Sequence, residues 1–205
     1  MSGFPKEVPA RLHATEVSGD TGAARVQEIE VKYRLFDLPG LERALVERGL
    51  VLSAPIFQDD QAYAHPDWAY GQSKIGVPFA RLRTQDGRHL FTVKTPLANE
   101  LACLEHESEV ADRDQMHQAI LQMGFQPTVR IVKTRRTAHV AGMALCVDEV
   151  EHAGQFLEIE KVLDTNESGT AAQEHLDTFA RSFGVALERT TDTYDSLVRA
   201  ALAPA

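Results

Sequence analysis

Cysteine is scarce in this chain: 205 residues contain only Cys103 and Cys146. The two lie far apart in the sequence and form no C-x-x-C pair, so neither a zinc ribbon nor a dithiol redox motif is indicated. A count this low suits a reducing compartment, although one disulfide would be compatible with it. We therefore expect a cytoplasmic protein.

Positive charge and long apolar runs are also in short supply. The chain has 21 Lys plus Arg against 30 Asp plus Glu, a net charge of −9. General nucleic-acid and membrane-surface binders carry a positive excess instead. No apolar run approaches the roughly 18 to 20 residues that span a bilayer, and the N-terminus lacks the basic-then-apolar pattern of a signal peptide. We expect neither a nucleic-acid nor a membrane partner.

The length fits one domain with short tails. Residues 1–24 contain scattered proline and glycine with no sustained period, which predicts a mobile N-terminal tail. We expect a single domain over residues 25–198 and a C-terminal tail over residues 199–205.

Two hydrophobic periods alternate within that domain. Helical spacing predicts helices over 38–48, 113–123 and 168–183, each followed by glycine. A period of two predicts eight strands, over residues 26–35, 56–63, 79–84, 89–95, 104–111, 129–138, 142–149 and 155–163. This pattern predicts an antiparallel α+β domain. Residues 64–78 are predicted to form a long loop, which is either functional or a structural excursion.

Charged residues follow the period of the strands. Glu28, Glu30 and Lys32 share one face of the first strand, opposite Ile29 and Val31. Similar alternation on other strands aligns Arg81, Arg83, Lys94, Glu105, Glu107, Glu109, Lys133, Arg135, Asp148, Glu158 and Glu160. A polar strand face in water explains any single case. Seven strands share the pattern, however, and a sheet that closes on itself would turn these faces into a common interior.

A charged interior is costly unless the charges are paired or hold a ligand. Structural ion pairs are one solution. The charges are segregated into E-x-E pairs on one side and R-x-R or K-x-R pairs on the other. This segregation favours a divalent metal on an acidic wall and a polyanion on a basic wall.

Five blocks in order, EIEVK, RLR, FTVKTP, VKTRR and VDEVEHAGQFLEIE, resemble the CYTH superfamily, also called the triphosphate tunnel metalloenzymes. The resemblance covers about residues 26–198 and implies an antiparallel eight-stranded β-barrel that encloses a tunnel, with helices packed outside. That superfamily contains class IV adenylate cyclases and thiamine triphosphatases. The segments DDQAYAHPDW and RTTDTYDSLV are similar to the class IV cyclase branch.

The resemblance also implies roles for individual residues. Metal ligands for Mg²⁺ or Mn²⁺ would be Glu28, Glu30 and Glu158, with Glu160 and Asp148 as further or supporting ligands. Phosphate-binding residues would be Lys32, Arg81, Arg83, Lys94, Lys133 and Arg135. The three lysines of that set, Lys32, Lys94 and Lys133, would be catalytic. One departure is that Cys103 and Leu104 stand where the family often has an arginine, so a phosphate contact would be missing there.

Three functions follow from this resemblance. A cyclase converts ATP to cyclic AMP and pyrophosphate, a triphosphatase hydrolyses inorganic or thiamine triphosphate, and a binding module or repurposed tunnel would hold another phosphorylated or diphosphate ligand. The two cyclase-like segments favour the first. The loop with Trp68 and Tyr70, and the segment around Tyr194, are the candidates for a nucleoside pocket at the tunnel mouth. The implied partner is ATP or tripolyphosphate, and a homodimer is left open.

Overall fold

The computed structural model describes residues 27–163 and 168–203, so the predicted N-terminal tail lies outside the described residues. The elements in chain order are β1 (Gln27–Leu35), α1 (Leu38–Glu47), β2 (Ile56–Ala64), β3 (Phe79–Gln85), β4 (Arg88–Pro96), β5 (Ala102–Val110), α2 (Arg113–Gln122), β6 (Gln126–Val140), β7 (Met143–Val150), β8 (Gly154–Leu163), α3 (Gly169–Arg181), β9 (Leu187–Thr190) and α4 (Tyr194–Leu202). None of these helices is long and apolar enough to cross a membrane.

The sheet closes into a barrel. Its strands follow the order β5-β4-β3-β2-β6-β7-β8-β1-β9, and β1 also pairs with β5. Gln27–Ile29 lie antiparallel to Ala102–Leu104, which completes the circle of β1 to β8. The other end of β1 pairs with β9 instead. The predicted eight-stranded antiparallel barrel is confirmed, and β9 is an added strand outside the circle.

Alternation along each strand separates the interior of the barrel from its apolar outer face. On β1, Ile29 and Val31 are fully buried under helices α1 and α3, where Leu41 and Leu176 pack into the same core. The intervening charged residues of β1 point the other way, into the barrel. Because the apolar face of β1 is buried against helices on the outside of the barrel, its charged face must point into the barrel interior.

The C-terminal segment corrects the sequence-based boundary. The sequence predicts an end near Val198, whereas α4 continues to Leu202. Leu197 and Val198 are buried in a second core with Ile131 of β6 and Phe156 of β8. The four residues of β9 are too few to show a period, and α4 has few buried positions, so neither element produces a clear periodic signal.

The predicted loop between β2 and β3 is confirmed over residues 65–78. It is held by specific contacts rather than hanging free: the backbone N–H of Gly76 donates to the carbonyl of Pro96 at 2.8 Å. The ring of Trp68 packs edge-on against Phe79, with centroids 4.9 Å apart. The loop thereby covers the end of the barrel at which β2 ends and β3 begins.

The packing of α3 on the barrel predicts an unequal effect of two leucine truncations. Leu176 is fully buried, whereas 54% of Leu202 is exposed. We expect Leu176→Ala to lower the free energy of unfolding by about 3 kcal/mol, because it leaves a cavity between α3 and the sheet. Leu202→Ala, the matched control, should cost under about 0.5 kcal/mol. Urea unfolding measures both, and equal losses would contradict this packing.

Candidate functional site

The barrel encloses a cavity of about 640 Å³. The interior strand faces, the 65–78 loop and the start of α4 all contribute to its lining. The predicted site residues that line it are Glu28, Glu30, Lys32, Arg81, Arg83, Lys94, Lys133, Arg135, Glu158 and Glu160. Asp148 is the one predicted site residue that is absent from this lining.

Three carboxylates form a compact acidic group. Glu30 of β1 lies directly opposite Glu160 of β8, and Glu158 is two residues along the same β8 face. Within the described part of the chain, one oxygen from each carboxylate lies within 4.8 Å of the others. Three carboxylate oxygens at this spacing fit the hard-ligand preference of Mg²⁺ or Mn²⁺. A divalent ion held there would neutralise charge on phosphate oxygens.

Glu28 has a different environment. It hydrogen-bonds to Glu105, and its carboxylate lies 3.7 Å from the ammonium of Lys94. Burial raises the pKa of Glu28 to about 9, and the hydrogen bond with Glu105 acts in the same direction. The structure therefore places Glu28 in the cavity beside Lys94 and outside the group of three carboxylates.

Asp148 lies behind the cationic side of the cavity with none of its surface exposed. Its carboxylate accepts hydrogen bonds from Lys133 at 2.8 Å, Arg135 at 2.7 Å and the hydroxyl of Tyr194 at 2.9 Å. Burial alone would raise the pKa of Asp148, but Lys133 and Arg135 lower it. Asp148 thus has the position of a buried counterion to two predicted phosphate ligands.

The basic side chains are paired with carboxylates of the same or nearby strands. Lys32 contacts Glu30 and Glu158 at 3.1 Å each, and these two carboxylates raise its pKa although burial alone would lower it. Arg135 contacts Glu158 and Glu160.

Lys94 and Arg81 are the more accessible cations, with side chains 31% and 22% exposed. Lys94 pairs with Glu105 at 2.6 Å, and Arg81 pairs with Glu107 at 3.1 Å. An incoming polyanion would reach these two cations first.

Cys103 lies where the family often has an arginine. It is opposite Glu28 in the β1–β5 pairing and lines the cavity, whereas Leu104 does not. Burial raises the pKa of the Cys103 thiol to about 12, so this position carries no charge near neutral pH. The cavity wall therefore has an uncharged thiol at Cys103, where the resemblance predicts that a cation is missing.

The sequence patterns did not single out Asp60. Its carboxylate accepts two hydrogen bonds from Arg83, each 2.7 Å long, and both side chains are buried. Burial would raise the pKa of Asp60, but Arg83 and Arg81 lower it to about 2. Asp60 is the one charged interior residue of its strand, so it produced no alternating pattern.

The sequence assigned no role to Lys74, and it predicted the segment around Tyr194 only as a candidate nucleoside pocket at the tunnel mouth. Tyr194 is buried beside the basic side chains, with its ring centroid 4.4 Å from the Lys32 ammonium. Lys74, on the 65–78 loop, is buried at the cavity wall and bonds to the start of α4. Of the two loop aromatics, Trp68 lines the cavity and Tyr70 does not. A single lysine in a loop carries no periodic signal that could have identified it.

Comparison with known proteins identifies the family. The CYTH domain model matches residues 26–194, and the chain belongs to this family. Proteins with this domain are generally metal-dependent enzymes that act on triphosphates bound in the tunnel. The chain is 27% identical over 153 residues to "Putative adenylate cyclase MJ0240" of Methanocaldococcus jannaschii, which covers 73% of this chain and 86% of that protein.

Solved structures share the fold. The PH1819 protein of Pyrococcus horikoshii has a TM-score of 0.72 and 25% identity, covering 84% of this chain and 98% of that one. A Vibrio parahaemolyticus protein named "putative adenylate cyclase" has a TM-score of 0.70 and 20% identity, with coverages of 84% and 97%. HpAC1 of Hippeastrum, named "putative adenylyl cyclase" and described as having a dominant triphosphatase activity, has a TM-score of 0.56 and 17% identity, with coverages of 87% and 98%.

The Asp60–Arg83 pair predicts a pH-dependent contribution to stability. Because the folded pKa of Asp60 lies below its ordinary value of 3.8, its ionised form stabilises the fold above about pH 4, and that contribution is lost as the pH falls toward about 2. We expect Asp60→Asn to cost about 3 kcal/mol near neutral pH, because it leaves a buried guanidinium without its partner. Urea unfolding should show that the difference in free energy of unfolding between Asp60→Asn and the wild type becomes smaller as the pH falls from about 4 to about 2.

The adjacent Asp59→Asn variant is the matched control. Asp59 makes the same two-pronged contact with Arg130, at 2.7 and 2.8 Å, but the Arg130 side chain is 63% exposed. Removing an exposed pair of this kind should cost no more than about 1 kcal/mol. Equal effects of the two substitutions, or a pH-independent Asp60→Asn effect, would contradict the assignment.

Proposed function

We propose that this protein is a metal-dependent enzyme that binds ATP in its tunnel and converts it to cyclic AMP and pyrophosphate. The observation that carries the proposal is that one cavity joins the charged tunnel to an apolar surface. Besides the charged residues, its lining includes Trp68, Phe79 and Ile131. Tripolyphosphate has no apolar part that could bind to such a surface. A nucleoside has one, because a base gains about 1–3 kcal/mol by stacking on an aromatic ring.

The basic residues support binding of the triphosphate part. Six of the cationic side chains that line the cavity lie on strands β1, β3, β4 and β6. Arginine binds phosphate oxygens through paired hydrogen bonds, and lysine supplies a compact charge. Phosphate oxygens would take over the contacts that Glu105 and Glu107 now make with Lys94 and Arg81. In this proposal the three lysines predicted to be catalytic, Lys32, Lys94 and Lys133, contact the bound anion.

The acidic group supports the metal part of the proposal. Glu30, Glu158 and Glu160 hold the ion, whereas Glu28, on the same strand face as Glu30, lies outside this group beside Lys94. Most of the catalytic effect in phosphoryl transfer comes from positioning and charge neutralisation. For cyclisation, the tunnel must fix the triphosphate so that the ribose 3′-hydroxyl lies in line with the α-phosphorus. The apolar surface at Trp68 and Phe79 provides a place to hold the nucleoside in that orientation.

Hydrolysis of a triphosphate is the second candidate. The charged section of the cavity would hold tripolyphosphate without any contribution from the apolar section. HpAC1 of Hippeastrum, which shares the fold, combines a cyclase name with a dominant triphosphatase activity. In that case water would attack the terminal phosphorus, and the 65–78 loop would have no part in substrate recognition.

The acidic group predicts the effect of removing one ligand. We expect Glu30→Gln to lower Mn²⁺ affinity by roughly 100-fold, because the substitution keeps the size of the side chain but removes a charged ligand. Isothermal titration with Mn²⁺ measures this directly, and metal-dependent turnover should be lost as well. Glu149→Gln, on an exposed position of β7, is the control and should leave both unchanged. Unaltered Mn²⁺ binding in Glu30→Gln would contradict the proposal that Glu30, Glu158 and Glu160 bind the metal ion.

The apolar section predicts which substrate suffers when Trp68 is removed. We expect the purified protein to convert ATP to cyclic AMP and pyrophosphate with Mg²⁺ or Mn²⁺. Trp68→Ala should reduce kcat/KM for ATP by roughly 10- to 100-fold, the range expected for one lost base stack, and leave tripolyphosphate affinity unchanged. Chromatographic product analysis decides the reaction. ADP and phosphate alone, or faster tripolyphosphate hydrolysis with no cyclic nucleotide, would favour the triphosphatase.

A further inference from the structure

Lys74 is the one buried lysine of the described chain that lies on a loop rather than on a strand. Only 5% of it is exposed. Its ammonium lies 5.8 Å from the ring centroids of both Trp68 and Phe79, at the apolar section of the cavity. A lysine is seldom buried to this extent without a set of specific partners.

Its partners are concentrated in the first turn of α4. The Lys74 ammonium donates to the hydroxyl of Thr193 at 2.5 Å, to both carboxylate oxygens of Asp195 at 3.2 Å and to the hydroxyl of Ser196 at 3.0 Å. Glu100, from the β4–β5 connection, is a fourth partner at 3.3 Å. Three of these four partners flank a single residue, Tyr194.

Tyr194 in turn contacts the basic side chains of the tunnel. Its ring centroid is 4.4 Å from the Lys32 ammonium and 4.6 Å from the Lys133 ammonium, which is within cation–π range. Its hydroxyl donates to Asp148, which also binds Lys133. A displacement of the Tyr194 backbone would therefore move the surroundings of both lysines together.

We propose that Lys74 is a positioning residue, which holds Tyr194 against Lys32 and Lys133 and so sets the geometry with which these two lysines bind phosphate. The inference rests on the proposed function, because it requires that the tunnel bind a triphosphate. Lys74 reaches the anion only through Tyr194: it anchors the residues on both sides of the ring, and the ring supports the two ammonium groups.

The position of Lys74 is not what helix stability alone would favour. A cation at the start of a helix is opposed by the helix dipole, by about 0.3–1 kcal/mol at exposed sites. The loop also has a second attachment to α4, where the Arg199 guanidinium lies over the Tyr70 ring at 3.8 Å. That contact joins the same loop to the same helix more than a turn away from Tyr194. Removing the Arg199–Tyr70 contact therefore weakens the attachment of the loop to α4 without removing any of the Lys74 contacts that flank Tyr194.

The test compares Lys74→Met with Arg199→Met in the full chain. Tripolyphosphate is titrated calorimetrically in metal-free buffer, so that no turnover intervenes. We expect Lys74→Met to raise the Kd by about tenfold, typical of coupling within one contact network, and Arg199→Met to change it by less than about twofold. Trp68 is the only tryptophan of the chain, so its emission reports whether either variant displaces the loop.

A double-mutant cycle identifies the route of the effect. If Lys74 acts through Tyr194, Lys74→Met should have almost no further effect on the Kd once Tyr194→Leu has removed the ring. Fully additive effects of the two substitutions, or equal Kd values for Lys74→Met and wild type, would overturn the proposal. Equal Kd increases in Lys74→Met and Arg199→Met would overturn it too, because loop attachment would then explain both.

Asp195→Asn is the second variant, for use if Lys74→Met does not fold. It removes the carboxylate that Lys74 binds and keeps the shape of the side chain, so we expect a Kd increase in the same direction and sensitivity to the same Tyr194→Leu background. An unchanged Kd in a folded Asp195→Asn protein would overturn the proposal. If the wild-type protein binds tripolyphosphate only with Mn²⁺ present, the same comparison is made with Mn²⁺. If it binds in neither buffer, the proposed function fails and this inference falls with it, an outcome distinct from a wild type that binds and variants that bind equally well.

Discussion

The pairing of Gln27–Ile29 with Ala102–Leu104 closes the barrel, and the charged interior depends on this contact. In an open sheet the charged strand faces would lie in water and would need no partners. Closure arranges β1 and β8, which carry the acidic group, and β3 and β6, which carry most of the arginines and lysines, around one cavity. The apolar outer faces drive this closure, because they are buried under α1 and α3.

Two kinds of carboxylate then keep the cationic side stable. Asp60 and Asp148 are buried and bound to Arg83, Lys133 and Arg135 by short hydrogen bonds. Glu30, Glu158 and Glu160 face the cavity, where Lys32 and Arg135 contact them. The ion pairs that Glu30, Glu158 and Glu160 make with Lys32 and Arg135 can be replaced by contacts with a bound ligand. A metal–triphosphate complex brings a cation for these carboxylates and an anion for their basic partners, so that binding replaces charge pairs without leaving a buried charge alone.

The sequence predicted those parts of the molecule that repeat a pattern. Alternating charges indicated the interior of the barrel, and the order of the charged blocks indicated the family. Asp60 and Lys74 carry no such pattern, because each acquires its role from residues distant in the chain. Tyr194 was indicated only through the resemblance of its segment to the class IV cyclase branch, which did not predict its contacts. Lys74 and Asp195 are 121 positions apart, and Tyr194 and Asp148 are 46 apart. Strand β9 and helix α4 were missed for a related reason: their contacts with β1 and β6, rather than a strong local period, define them.

Strands and loops divide the work of the site between them. The strands hold the charged groups in a register that pairing with neighbouring strands enforces. The 65–78 loop and the start of α4 are joined through the Lys74 contacts and form the section where Trp68 and Phe79 lie. Loops tolerate change that paired strands do not. A shift of the triphosphate by one phosphate along the strands would change which phosphorus reacts, so under the proposed function we expect the contacts of the loop and α4 with the rest of the substrate, and not the charge of the tunnel, to select the reaction.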